Sequence, residues 1–325
     1  MRACLTGLLL VLTSAQPVLA GGRVLYAEAQ SVAGFSSASG GPVLYSFSQE
    51  DAMQKPSVGV DWLQKLEGDG RDIGTLAFQG RMAWNRNGQN TFEPQVYNAY
   101  YKLKLRGGGL WVGHDKPAFG LSYIWDTHAR LLYSPVMYGF GYDRDWGMGW
   151  QRDGEDGSLV FSLTSGSGMP LRMEGNWMAS GRVSRGVLAR DNWEAGFSAS
   201  HGKRLDTMGY TVMGHMPETY SMLAADWTYT PDMFEFRAEV DWGWKDSRPE
   251  RTFFLCAGAN LAEEGRLKIE YQPSYSENAD VEGWLQSAGL SWQFSPYLTG
   301  RAAFTYRAQD YSRQVTTQLY WYFPL

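Results

Sequence analysis

The sequence predicts an all-β chain that forms a transmembrane antiparallel up-and-down β-barrel of about sixteen strands, with fourteen or eighteen as alternatives. Three observations favour this class: the composition, the alternation of apolar and polar residues, and the lengths of the connections. Of the 325 residues, 15% are aromatic, 38 are glycine and only 19% are charged. No apolar run after residue 20 is long enough for a transmembrane helix. Composition alone fits a secreted all-β carbohydrate-binding or hydrolytic protein equally well.

Residues 1–20 have the pattern of a cleaved secretory signal peptide. Arg2 supplies the positive charge, residues 5–12 form a short apolar segment, and residues 18–20 fit a cleavage site with a small final residue. We therefore exclude this segment from the barrel. The mature chain then has Cys256 as its one cysteine, so an intramolecular disulfide is not expected. Export of a β-barrel predicts the outer membrane of a Gram-negative cell as its location.

Residues 233–244, which read MFEFRAEVDWGW, show the clearest alternation. Successive side chains of a strand point to opposite faces, so the aromatic and aliphatic residues share one face. The other face carries four ionisable residues, Glu235, Arg237, Glu239 and Asp241. Such a face is costly in a dry sandwich core but is compatible with a water-filled lumen. This segment therefore favours a barrel over a sandwich.

Sixteen segments are predicted as strands on this basis. They span residues 42–50, 57–66, 72–85, 94–106, 109–116, 144–152, 157–166, 175–186, 191–202, 219–230, 233–245, 250–262, 264–275, 283–294, 296–308 and 313–323. An even number suits a single-chain bacterial barrel with both termini in the periplasm. The barrel is thus expected to cover residues 42–325. Residues 21–41 are expected to be a periplasmic lead or a segment that enters the lumen.

The connections between these strands sort by length onto the two ends of the barrel. Short, turn-like connections fall at one end, whereas the long ones, 117–143, 203–218 and 276–282, all fall at the other. Residues 206–215 also alternate, but we assign them to the long loop, which keeps the number of strands even. Connections of unequal length at the two ends are typical of outer-membrane barrels.

The long loop 117–143 is the candidate constriction. It follows GGGLWVGHDKP, in which Pro117 ends a strand because proline cannot donate to the ladder. Long irregular loops are usually functional or disordered, and the many aromatic residues argue against disorder. We therefore expect this loop to fold into the lumen. The loop carries charges of both signs, which predict an electric field across the pore. The alternative is that these charges are simply solvated. The candidate residues are Lys116, Phe119, Asp126, His128, Arg130, Asp143 and Arg144.

The strand faces predict a lumen of mixed charge. The expected pore-lining residues are Arg81, Lys102, Lys104, Arg106, Asp145, Asp226, Glu235, Arg237, Glu239, Asp241, Lys268, Glu270, Arg301 and Arg307. Residues 96–106 place Tyr97 outward and a basic stripe, Lys102, Lys104 and Arg106, inward. This stripe either attracts anions into the pore, or it is an ordinary part of a polar lumen. In the second case, acidic residues across the barrel neutralise its charge. The net charge of −5 leaves anion or cation selectivity open.

The sequence does not indicate an enzyme. The four histidines form neither HxxxH nor HExxH, and the glycine-rich fragments lack the context of a nucleotide site. His201 adjoins Ser200, but neighbouring strand residues point to opposite faces. We therefore expect no cofactor, no bound metal and no nucleic-acid partner.

Three segments resemble the phosphate-selective porin family, porins O and P, of Gram-negative outer membranes. Residues 112–121, VGHDKPAFGL, resemble its strand-plus-KPPFGLE signature; residues 223–243 resemble its proline-turn hairpin, and residues 306–323 its closing strands. The resemblance implies a sixteen-stranded trimeric porin whose third loop narrows the pore. The chain departs from the family in its mixed lumen charge, where the family has an arginine ladder and a lysine cluster. It also ends in FPL rather than in an aromatic residue.

The function expected from these observations is a passive channel for small hydrophilic solutes or ions. Its partners would be outer-membrane lipid, the permeating solutes and, by resemblance, two further copies of the chain. The alternative is a barrel that sheathes or holds a periplasmic partner, such as a multihaem cytochrome. That partner would have to supply the haem, because the chain has no CxxCH motif.

Overall fold

The computed structural model describes residues 19–43, 55–84, 92–128, 130–262, 265–278 and 282–325. These residues form strands joined by turns, one long irregular segment and a few single helical turns. The strands are β1 Leu19–Ser36, β2 Gly41–Val43, β3 Ser57–Gly68, β4 Arg71–Trp84, β5 Phe92–Leu105, β6 Gly108–Asp115, β7 Asp145–Asp153, β8 Ser158–Thr164, β9 Trp177–Arg185, β10 Trp193–Met208, β11 Thr211–Tyr229, β12 Phe234–Lys245, β13 Arg248–Leu261, β14 Leu267–Glu277, β15 Glu282–Ser295, β16 Leu298–Arg307 and β17 Ser312–Pro324. The helical turns are Leu121–Tyr123, Pro135–Tyr138 and Leu188–Asp191. Within the described ranges, no helix is long and apolar enough to span a membrane.

The strands close into one antiparallel barrel. From β3 to β17, each strand pairs with the next one along the chain. β1 then pairs with β3 along one edge and with β17 along the other. The short β2 adds only three residue pairs at the end of β1. The ring therefore has sixteen strands, and the predicted fold class is confirmed.

The strand that closes the ring differs from the predicted first strand. We expected a lead over 21–41 and a strand over 42–50, but β1 is a full wall strand. Its outward positions are small, such as Ala27 and Ala29, and the resulting weak contrast hides the alternation. Its inward Glu28 and Gln30 are buried polar residues. Residues 44–50 and most of the predicted signal peptide lie outside the described residues, so the signal peptide stays a prediction.

The loop expected at 203–218 is also different. β10 and β11 continue through it and are joined at Gly209 and Tyr210, where Gly209 adopts a φ of 55°. The alternation within 206–215 is therefore that of a long hairpin. We call the end of the barrel with the turns 69–70, 106–107 and 232–233 the short-turn end. Both ends of the described chain lie there, since Leu325 N donates to Leu25 O over 2.9 Å.

Side-chain exposure follows the alternation predicted for β12. The aromatic and aliphatic residues, such as Val240, are exposed on the outer surface, whereas Glu239 is 2% and Asp241 is 0% exposed inside. Tyr97 is an exception, because the register of β4 and β5 shifts between Gln79 and Gly80. The extra residue of β5 turns Tyr97 inward, where it is 1% exposed, and not outward as predicted.

A basic substitution on the outer surface is expected to destabilise the barrel in a bilayer. Val240 lies in the middle of β12, so Val240→Arg should lower the free energy of unfolding by about 2–4 kcal/mol. Arg237→Lys, which keeps a charge on the inward face of the same strand, is the matched control. Urea titration of folding into phospholipid vesicles measures both. Equal stability of Val240→Arg and the unsubstituted protein would contradict the assignment of faces.

Candidate pore constriction

Residues 116–144, which we call the inner loop, run from β6 to β7 through the barrel interior. Their first contacts are with small polar side chains on the inward faces of successive strands. Ala118 N donates to Ser162 Oγ of β8 over 2.9 Å, and Gly120 N donates to Ser198 Oγ of β10 over 3.0 Å. Both serines are buried between outward-facing, exposed apolar neighbours. The loop therefore lies against the inner wall.

Glu239 of β12 forms the next anchor. Its Oε2 accepts a hydrogen bond from Leu121 N over 3.0 Å. Gly120 precedes this contact with a φ of 60°, and a Cβ atom there would collide with the Glu239 carboxylate. Only glycine combines this backbone conformation with so close an approach. Beyond the anchor, Leu121 packs against Phe254 and Cys256 of β13.

The inner loop then reaches the opposite part of the wall. Arg130 Nη2 lies 2.6 Å from Glu270 Oε1 of β14. His128 Nε2 lies 2.8 Å from Glu28 Oε2 of β1. Nearby, Leu131 and Leu132 join an apolar cluster with inward residues of β1 and β16. The loop thus contacts the wall from β8 round to β1.

After these contacts, the inner loop returns to β10 and β11. Gly139 O accepts a hydrogen bond from Arg204 Nη1 over 2.6 Å, and Gly141 N donates to Tyr220 OH over 2.9 Å. Phe119 is buried here in a cluster with Phe140. Phe119 therefore fastens the loop to the wall and does not face the lumen, which corrects its expected place at the constriction.

Asp126 is the most exposed acidic group of the inner loop. Its side chain is 65% exposed, and Oδ1 accepts a hydrogen bond from Tyr97 OH over 3.1 Å. Arg144 Nη2 lies 3.5 Å from the same oxygen. The surrounding barrel wall desolvates the carboxyl and opposes its ionisation, but the positive charges of Lys116 and Arg144 outweigh this effect and lower the pKa of Asp126. The group therefore carries a negative charge at neutral pH.

Three of the remaining charges predicted at the constriction, Lys116, Asp143 and Arg144, have partners within the loop. Arg144 Nη1 lies 3.2 Å from Asp143 Oδ1, and Lys116 Nζ donates to Trp125 O over 3.2 Å. The structure thus brings Lys116, Asp126, Asp143 and Arg144 together. His128 and Arg130 instead point to the wall.

A second network of both signs lies where the inner loop meets β12 and β14. Arg237 Nη1 lies 2.8 Å from Glu235 Oε1, and Lys268 contacts both Glu235 and Glu270. The guanidinium groups of Arg130 and Arg237 lie 4.2 Å and 4.9 Å from the Trp125 ring centre. These pairs give this wall cations and carboxylates in near balance, so the arrangement provides no uniform basic stripe.

The pore-lining predictions fall into three groups. Most are inward on the strands: Arg81, Lys102, Asp226, Glu235, Arg237, Glu239, Asp241, Lys268, Glu270 and Arg301. Three of these, Asp226, Glu239 and Asp241, are deeply buried; Arg182 Nη2 lies 2.6 Å from Asp226 Oδ1, and Glu239 is covered by the loop. Three more lie at the barrel ends: Lys104 pairs with Asp72, Arg106 is exposed in a turn, and Arg307 ends β16. The last, Asp145, begins β7.

Asp145 is corrected from a pore-lining residue to a loop anchor. It is 0% exposed. Its carboxylate accepts hydrogen bonds from Ser165 Oγ and Gly166 N, both over 2.8 Å. The segment after β8 wraps around the Asp145 carboxylate, so this carboxylate does not face the lumen. Nothing in the sequence spacing signals this turn.

Sequence reasoning missed two further contacts. Tyr97 reaches Asp126 of the inner loop because of the register shift in β5, which leaves no pattern in the sequence. On the outer surface, His201 Nδ1 lies 2.8 Å from Ser221 Oγ of the next strand. The sequence neighbour considered for His201 was Ser200, which faces inward. Cross-strand register, which pairs His201 with Ser221, is invisible without the fold.

The comparisons support the fold. The sequence matches no protein-family model and no curated protein. OmpF of Salmonella typhi, solved in complex with daunomycin, is similar with a TM-score of 0.68 at 12% identity over 94% of this chain and 100% of that one. The trimer form of OmpT, an outer membrane protein of Vibrio cholerae, has a TM-score of 0.65 at 12% identity over 94% and 100%.

A triple mutant of the Rhodopseudomonas blastica porin is similar as well, with a TM-score of 0.57 at 12% identity over 93% of this chain and 100% of that one. At such identities the likeness shows the fold alone. The fold is that of the Gram-negative outer-membrane porins. The likeness does not single out the phosphate-selective family, so that narrower resemblance stays a prediction.

Gly120→Ala is expected to release the inner loop from β12. The methyl group would collide with the Glu239 carboxylate, and the left-handed backbone would be strained. Hydrogen exchange at the Leu121 N–H, which donates to Glu239, should then be at least about tenfold faster than in the unsubstituted protein, because the backbone strain and the lost contact cost more than about 1.4 kcal/mol. Gly107→Ala, in a turn where a Cβ meets nothing within 4 Å, is the matched control. Unchanged exchange at Leu121 in Gly120→Ala would contradict the anchor.

Proposed function

We propose that this protein is an outer-membrane porin through which small hydrophilic solutes or ions diffuse passively. The observation that carries the proposal is the inner loop, which occupies the interior of a closed barrel and is fastened by inward side chains. A loop held in this way would limit the size of the solutes that can pass through the barrel. The fold, shared with Gram-negative outer-membrane porins, supports this function and the location.

The electrostatics favour a channel of weak charge preference. The inner loop and the facing wall carry paired charges of both signs, among them Arg144 with Asp143 and Arg130 with Glu270. A solute in the constriction would therefore experience a transverse field and little net charge. This balance argues against the strong anion selectivity that the resemblance to phosphate-selective porins suggested.

Oligomerisation belongs to the same proposal. One of the similar structures, OmpT of Vibrio cholerae, is described as a trimer form. We infer a trimer for this chain from that likeness and from the resemblance of its sequence. The outer surface of the barrel would then provide the contacts between copies and with lipid.

The alternative, a sheath around a periplasmic partner, is less favoured. A partner threaded through the barrel needs an open interior, whereas the inner loop crosses it and contacts β8, β12 and β1. Displacing the loop would break these hydrogen bonds and leave buried polar groups unpaired.

Single-channel recording in planar bilayers tests the proposal. The purified, folded protein should produce discrete conductance steps, and Asp126→Asn should shift the reversal potential in asymmetric KCl toward anions. The permeability ratio should change by about twofold, because an exposed charge acts through a high dielectric constant. Glu155→Gln, in the turn after β7, is the control and should leave the ratio unchanged. A folded protein without conductance steps would refute the channel.

A further inference from the structure

The outer part of the β10–β11 hairpin extends beyond the neighbouring strands of the wall. At its base, Trp177 of β9 pairs with Lys203, and Lys245 of β12 pairs with Tyr220. Beyond these positions, the ladder of the described residues runs only between β10 and β11. We call residues 204–218 the projecting hairpin. It lies at the end of the barrel opposite to the short-turn end, beyond the closed wall.

The projecting hairpin carries the sequence MGHM, residues 213–216, whose side chains are exposed. Met213 is 58% and Met216 is 80% exposed, and the side chain of His215 is 74% exposed. Among the large hydrophobic residues of the described chain, Met216 is the most exposed, followed by Met173 and Tyr311 at 76%. Single exposed apolar residues are normal on a protein surface, but several methionines beside one histidine form a specific chemical environment.

The spacing of Met213 and His215 places both on one face of β11. Residues two apart along a strand point to the same side, with their Cβ atoms about 6.6 Å apart. The methionine side chain has three rotatable bonds, so its sulfur atom can reach an ion that the imidazole holds. One ion can therefore contact both side chains without any change in the backbone.

An irregularity in the ladder adds Met216 to this group. Arg204 pairs with Glu218, whereas Asp206 pairs with Gly214, so four residue steps along β11 oppose two steps along β10. A regular strand would turn Met216 to the opposite face. Extra residues of this kind interrupt the alternation and redirect side chains, which accounts for the exposure of Met216.

Glu174 approaches His215 from the segment that follows β8. Its Oε2 lies 3.7 Å from Nδ1 of the imidazole ring. Histidines that bind metals usually have a carboxylate near one ring nitrogen, which orients the other nitrogen toward the metal. The contact also brings Met173, the sequence neighbour of Glu174, close to the projecting hairpin. The donors at this position are therefore Nε2 of His215 and three thioether sulfur atoms.

Two hydrogen bonds hold the segments that carry these donors. Tyr210 OH, at the tip of the projecting hairpin, donates to Val96 O of β5 over 2.8 Å. Glu174 N donates to Asn176 Oδ1 over 2.7 Å. Segments that are already ordered lose little conformational freedom when a ligand binds, so this group of side chains is suited to binding.

The donor set fits a soft metal ion. Thioether sulfur and imidazole nitrogen are ligands that Cu(I) accepts, whereas Ca²⁺ and Mg²⁺ need oxygen ligands. In the described part of the chain, no group of three or more His, Cys, Asp or Glu side chains could hold a metal ion. His215 and Glu174 alone therefore do not complete a site for Zn²⁺, and the methionines determine the preference.

We propose that Met213, His215 and Met216 bind one Cu(I) ion at the projecting hairpin, with Met173 as a further ligand. Glu174 orients the imidazole and does not bind the ion. The patterns HxxxH and HExxH contain no methionine, so the expectation of no bound metal, which rested on them, did not cover this site. Binding at exposed side chains does not require conduction through the barrel, so the proposed channel and this site can fail separately.

Competition for Cu(I) under anaerobic conditions tests the site. The folded, detergent-solubilised protein is titrated into the Cu(I)–bicinchoninate complex, with Cys256→Ser in every sample to remove the buried thiol. We expect the protein to withdraw one Cu(I) ion per chain. Met213→Leu, Met216→Leu and His215→Gln should each weaken the affinity by more than about tenfold, because loss of a ligand costs more than loss of a group that orients one.

Met233→Leu is the matched control, because Met233 is an exposed methionine in the turn before β12. This variant should bind Cu(I) as the Cys256→Ser protein does. Heat-modifiable gel mobility shows that each variant is folded, which is expected because the substituted side chains are exposed.

NMR of protein labelled with carbon-13 at the methionine methyl groups is the second readout. Cu(I) should shift the resonances of Met213 and Met216 and leave that of Met233 unchanged. Failure of the protein to withdraw Cu(I) from bicinchoninate would overturn the site. Equal affinity of Met213→Leu, Met216→Leu and the Met233→Leu control would also overturn it, since other groups would then hold the ion.

Discussion

The closure of the backbone hydrogen-bond ring through β1 is the constraint on which the rest of the structure depends. In a bilayer an unpaired strand edge leaves N–H and C=O groups without partners, so only a closed sheet is stable. β1 pairs with β17 from Tyr26 to Ser36 and with β3 from Leu19 to Gln30. The same strand carries Glu28, which holds His128 of the inner loop. Closure of the wall and position of the loop are therefore coupled at one strand.

The inner loop occupies part of the interior of this barrel and is fastened to its wall. Its anchors are polar side chains on the wall that accept hydrogen bonds from backbone N–H groups of the loop, as in Ser162 with Ala118 and Glu239 with Leu121. The short serine side chain lets the loop backbone approach the wall closely. Under the proposed channel function, Asp126 is the acidic group of the loop best placed to act on a solute, because its side chain is more exposed than that of Asp143.

The sequence predicts the wall better than the site. The alternation of β12 is recognisable because large apolar residues oppose charged ones, and Glu239 and Asp241 lie on the inward face, where they are buried. β1 escaped recognition because the alanine and serine residues on its outer face, such as Ala29 and Ser31, give little contrast. The loop at 117–143 was predicted from Pro117 and its aromatic residues, but its contacts depend on which strands lie opposite. Tyr97 and Asp145 were misplaced because a register shift and a carboxylate-capped turn leave no periodic signal.

The central claim, that the inner loop crosses the lumen to β1, is tested most directly by crosslinking. Glu28→Cys and His128→Cys, combined with Cys256→Ser, bring two thiols within reach of a short bifunctional maleimide if the 2.8 Å contact exists. Thr252→Cys with Ser276→Cys, whose hydroxyl groups lie 3.1 Å apart across β13 and β14, is the positive control. We predict that both pairs crosslink in the folded barrel. Efficient crosslinking of the control pair alone would contradict a loop that reaches β1.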